Sequence, residues 1–165
     1  MKIDKEVLEK NKKGFRVLSN SRETIHRSMV IQRICELESD LCEKIAEFFT
    51  LRNSSITKEK VMKDLYSENG LLSSLSKSAK IAYYLGFIDD DIRHDLSKLA
   101  KLRNSYAHEK HRKQLQDEPD LLKLMHDSIL YRKNKPELDA LSPQHLFLSI
   151  QETLQKKVGA IDINA

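Results

Sequence analysis

The chain has 165 residues, 39% of them hydrophobic and 33% charged, with 4 glycines, 3 prolines and no tryptophan. That length fits one domain whose core needs no metal or disulfide support, and no segment has the β-branched and aromatic alternation a sheet requires. A net charge of +4 permits contact with nucleic acid but falls well short of a DNA-coating protein.

In chain order, the opening "MKIDKEVLEKNKK" is charged throughout and lacks the apolar centre of a signal peptide. No run approaches the ~20 apolar residues of a membrane span, so a cytoplasmic protein without membrane contact is expected. Residues 4 to 12 read as a short charged helix stopped near Gly14. Residues 1–20 are thus expected as an N-terminal helical extension and 21–165 as the bundle domain.

The main helix starts at "NSRETIHRS", where Asn20 or Ser21 can cap and Glu23 has capping-box spacing from Asn20. Val30, Ile34, Leu37, Leu41, Ile45 and Phe48 follow at spacings of 4, 3, 4, 4 and 3, a helical stripe over five turns. Ile31, Cys35, Cys42 and Phe49 widen it, which predicts a central helix packed by several neighbours. The two cysteines, seven residues apart on this helix, would have Cα atoms ~10 Å apart. A disulfide cannot span that distance, and buried thiols in a reducing compartment are expected.

Thr57 is placed to cap the next helix, with Ile56 and Val61 flanking it as a hydrophobic staple and Gly70 near its end. A helix from about Ser74 to Leu85 puts Leu75, Ala79 and Ala82 on one face and stops at Gly86. Asp89 then caps a helix with acidic residues in its first turn, where the helix dipole favours them. Its buried stripe is Ile92, Leu96, Leu99, Leu102 or Arg103, and Tyr106. After the polar "EKHRKQLQDE", Pro119 opens a helix to about Tyr131, "KNKPELDALSP" is a loop, and Ser142 with Pro143 starts a final helix ending near Lys157. The expected fold is an all-α, single-domain bundle of six or seven helices around one long central helix.

Two helices joined at Gly86 invite a helix-turn-helix reading, in which the start of the second helix enters the DNA groove. Here that start carries Asp89, Asp90, Asp91 and Asp95, which repel the phosphates that position such a helix. Phe87 and Ile88 read as core contacts. A packed hairpin is expected, without sequence-specific DNA contact.

The stretch "GLLSSLSKSAKIAYYLGFIDDDIRHDLSKLAKLRNSYAH", residues 70 to 108, resembles the core of the mannitol-operon repressor family. That resemblance implies an all-helical regulator without a DNA-reading motif, acting through a protein partner. Its end, "RNSYAH", also resembles the signature of the HEPN superfamily, an arginine, a polar residue and a histidine five positions after the arginine. Arg103, Asn104 and His108 match that pattern. The second resemblance implies a metal-independent endoribonuclease of toxin or defence type, formed by two motifs across a homodimer and held in check by an antitoxin.

Such chemistry needs a proton carrier for the 2′-hydroxyl and a cation for the phosphate. His108 suits the first role, because imidazole titrates near neutral pH. Arg103 supplies a charged fork that matches phosphate. Asn104 would orient an oxygen or the histidine, and Tyr106 either stacks on a base or packs in the core. Lys110, His111, Arg112 and Lys113 form an RNA approach surface or a solvated linker. On a regular helix Arg103 and His108 lie ~140° apart, while Asn104 and His108 share a face. The site therefore needs a bend before His108 or a second subunit.

The structural alternative lays Arg103 along the core, paired with a carboxylate such as Asp91 or Glu36, and leaves His108 capping carbonyls. The two readings differ observably, since a nuclease needs Arg103 on a solvent-open cleft. His26, His94, His126 and His145 show no ligand spacing with cysteines or carboxylates, and His94 and Asp95 are expected on different sides of their helix. No metal or cofactor is expected.

Overall fold

The computed structural model describes residues 27–67, 73–108 and 119–164. The expected helix over 4–12, the capping residues Asn20, Ser21 and Glu23, and Gly70 lie outside them. Among the described residues there are eight helices and no strand: α1 (Arg27–Arg52), α2 (Lys58–Tyr66), α3 (Leu75–Tyr84), α4 (Asp90–His108), α5 (Pro119–His126), α6 (Ile129–Lys133), α7 (Lys135–Leu138) and α8 (Pro143–Gly159). The all-α bundle is as the composition and periodicity lead one to expect.

α1 is the centre, packed by α2, α3, α4 and α8. Its stripe residues Val30, Ile34, Leu37, Leu41 and Ile45 are fully buried, and Phe48 is half-buried. The flank of that stripe is covered only where neighbours reach it. Cys42 is buried, with its thiol 3.6 Å from the Ser78 hydroxyl of α3. Cys35, two turns nearer the N-terminus, is exposed, as is Phe49. The expectation of two buried thiols therefore holds for Cys42 and fails for Cys35. Burial pushes the Cys42 thiol pKa up, which keeps it protonated and inert.

Caps at the predicted positions fix the helix starts. The Thr57 side chain accepts from the Lys60 amide at 3.3 Å, and Asp89 accepts from Ile92 at 2.8 Å. Ser142 accepts from His145, with Pro143 in the first turn. α3 ends in a Schellman turn: Gly86 donates to Tyr83 and Phe87 to Ala82, with Gly86 at φ +76°, where glycine carries no Cβ penalty. Leu75, Ala79 and Ala82 face inward with no exposed surface, and Ile88 is buried. α3 and α4 thus form a packed hairpin.

The region after α5 departs from the single helix expected over Pro119–Tyr131. The chain breaks at Asp127–Ser128, and Ser128 caps a new helix by accepting from Tyr131 at 3.0 Å. Asp95, from the middle of α4, fixes the break. Its carboxylate is fully buried and accepts from the Ile129 and Leu130 amides at 2.7 and 2.8 Å. Two donors that a helix start leaves without partners are satisfied from 34 and 35 residues away. The expected loop after Tyr131 also contains the short α7, and α8 runs to Gly159 rather than Lys157. α8 buries Leu146, Phe147, Ile150, Leu154 and Val158 against the bundle.

Candidate functional site

The candidate residues lie in the last turns of α4, where the helix crosses α1. Leu102 and Tyr106 face inward, 1% and 2% exposed. They belong to one helical stripe, so Arg103, next to Leu102, falls at the rim of the core. Its Nη1 donates to the carboxylate of Glu38 on α1, and the two side chains are 17% and 18% exposed. The Nε and Nη2 groups reach the Asn104 side-chain oxygen at 3.4 and 3.3 Å. The guanidinium is thus engaged on both edges by groups of its own chain.

The partner differs from the carboxylates suggested by sequence. Glu36 is exposed and accepts from Gln32 at 3.0 Å, with Arg33 at 3.7 Å. Asp91 is taken by Lys133, which holds its carboxyl below the ordinary range. Glu38 lies at the edge of the α1 stripe, four residues before buried Cys42, and that places it against α4.

Asn104 is exposed beside Arg103. Tyr106 packs in the core, so its ring does not offer a face to a base. The backbone stays helical through His108. Positions 103 and 108 therefore remain ~140° apart, without the bend that would bring them together. Lys110, His111, Arg112 and Lys113 lie outside the described residues.

The acidic start of α4 is also engaged. Asp89 caps, Asp90 pairs with Arg93 at 2.7 Å, Asp91 pairs with Lys133, and Asp95 is buried at α6. The His94 ring meets Asp95 at 3.1 Å, so these neighbours touch rather than diverge as expected. Side chains on adjacent helical positions are only ~100° apart, close enough for an imidazole to reach across. Sequence reasoning grouped Asp95 with the acidic residues at the helix start and missed its buried role at α6. Its signal was an acidic residue at the third position after Ile92, inside the apolar stripe.

Among the described residues, no group of three His, Cys, Asp or Glu side chains is placed to hold a metal ion. Nor is any described helix long and apolar enough to cross a membrane. A small cleft between α4, α5 and α8 is lined chiefly by apolar side chains, among them Leu99, Leu102, Met125 and Ile150.

No protein-family model and no curated protein matches the chain by sequence. A solved structure does match its fold: the X-ray structure of the MtlR-HPr complex from Escherichia coli, at a TM-score of 0.58 and 19% identity. The match covers 93% of this chain and 96% of that one. The chain has an MtlR-like fold. The likeness runs over nearly the full length of both chains and is one of fold.

Proposed function

We propose that this protein is a non-enzymatic regulator that acts by binding a protein partner rather than by reading DNA. The observation that carries the reading is the fold shared with MtlR in its complex with HPr, over nearly the full length of both chains. The hairpin geometry supports it. The start of α4, which a DNA-reading helix would present to phosphates, holds three carboxylates, Asp89, Asp90 and Asp91.

The state of Arg103 weighs against the metal-independent nuclease. A guanidinium already held by Glu38 and Asn104 has little left for a phosphate, and freeing it would leave Glu38 unpaired at the core rim. A catalytic site would also need His108 supplied across a second subunit, with RNA bound along 110–113.

The partner class is a protein, with HPr the first to test because it is what the MtlR structure contains. The experiment is a calorimetric titration of the full chain with HPr from the same organism. A saturable heat of binding is expected. Absence of binding at concentrations well above the micromolar range would remove HPr as the partner.

A further inference from the structure

We propose that α5 is a hinged flap, which swings off the face formed by α4 and α8 about the Asp127–Ser128 joint while the rest of the bundle stays folded. In one continuous helix the Ile129 and Leu130 amides would bond back to the carbonyls of Met125 and His126. Here both donate instead to the Asp95 carboxylate of α4, at 2.7 and 2.8 Å. The Tyr131 amide donates to the Ser128 hydroxyl at 3.0 Å. Bonds that would make α5 and α6 one rigid rod therefore tie α6 to α4. On the other side, the Asp127 and Ser128 amides close the last turn of α5 on Lys123 and Met125, at 2.8 and 3.0 Å.

The two sides of this joint are anchored unequally. Beyond it, Ser128, Leu130, Tyr131 and Asn134 are buried, and the Asn134 amide group donates to the Leu130 carbonyl at 2.7 Å. Before it, Met125 is the one buried residue among 122–127, with Leu122 and Leu124 half-buried and the others exposed. The cleft between α4, α5 and α8 lies under this helix, so Leu124 and Met125 face Leu99, Leu102 and Ile150 across a gap that costs them packing contacts.

Two polar or ring contacts add to the closed position. Lys98 pairs with Asp127 at 3.6 Å, the carboxylate 49% exposed, and the exposed His126 ring stacks on Tyr131 at 4.6 Å. An ion pair that open to water contributes little. Opening thus gives up Met125 and parts of two leucines, whereas unfolding the bundle gives up its whole core. It bares Leu99, Leu102 and Ile150 as one apolar face and leaves α6 in place. The flap is independent of the partner reading.

The test is native-state hydrogen exchange on the full chain, followed by NMR in urea concentrations below the unfolding transition. The Met125, His126 and Asp127 amides should be protected, yet exchange at least ~10-fold faster than those of Leu130 and Leu102, with a shallower dependence on urea. Ile34→Val, which weakens the core far from α5, should speed exchange at Leu102 by ~5-fold and leave the three α5 amides unchanged. Asp95→Asn should move the joint, so that the Leu130 amide exchanges together with α5. Equal rates and urea slopes in α5 and α6 would overturn the proposal, as would equal acceleration of both by Ile34→Val. So would an α5 without protection, because a flap must be closed most of the time, or a Leu130 amide that Asp95→Asn leaves unchanged.

Discussion

At Arg103 two demands compete for one guanidinium: a phosphate outside the protein and a carboxylate within it. Glu38 meets the second with both side chains mostly buried. Removing one member of such a pair strands the other, so Arg103→Ala should destabilise the fold by ~1–3 kcal/mol. Glu38→Gln, which keeps an acceptor, should lose less. In a double-mutant cycle measured by urea denaturation, Arg103→Ala and Glu38→Ala should be non-additive, with a coupling of ~1 kcal/mol or more. Additive losses would mean that the two side chains act independently. Little of this was legible beforehand. The sequence placed Arg103 at the core edge and suggested a carboxylate partner, but its partner lies 65 residues away and spacing along one helix does not reveal it.

His145 offers a second test at this scale. Its ring is half-buried beside the Ser142 hydroxyl at 2.7 Å, and burial holds its pKa below the ordinary 6.5. The unfolded chain therefore takes up the proton first, and stability should fall as pH drops below 6.5 toward the folded value. Asp91, its pKa lowered by the hydrogen bond from Lys133, should add a further loss below 3.8. Melting temperatures from about pH 7.5 to about pH 5 should decline in the wild type and less steeply in His145→Gln. Equal slopes would remove His145 as the cause.

At the scale of elements, local signals carried far. Thr57, Asp89 and Ser142 cap where their side chains and the following apolar periodicity indicate. Gly86 ends α3 because its left-handed backbone closes the Schellman turn. The break between α5 and α6 was not legible, because half of its cap comes from Asp95 on another helix. Asp95→Ala would leave two amides and a cavity inside the bundle, and should destabilise it by ~2–4 kcal/mol. Hydrogen exchange should show the Ile129 and Leu130 amides losing protection more than those of α1. Unchanged protection there would show that Ser128 alone holds the helix start.

At the scale of the whole molecule, the stripe of α1 explains why α2, α3, α4 and α8 surround it. It also explains why the bundle could be read from periodicity. Cys35 marks where that reading ends: apolar spacing assigns a face, but whether a neighbour covers it depends on where the next helices stop. The same holds for "RNSYAH", whose residue types suit RNA chemistry but whose helix directs Tyr106 into the core and Arg103 onto Glu38. In the proposed reading this stretch is architecture, and the protein works by binding a partner. The most direct test is incubation of the purified chain with RNA in EDTA, alongside folded Arg103→Ala and His108→Ala variants. No cleavage by the wild type is expected even at high concentration, with Arg103→Ala differing only in a lower melting temperature. Cleavage by the wild type that both substitutions abolish would contradict it and make Arg103 and His108 an active site.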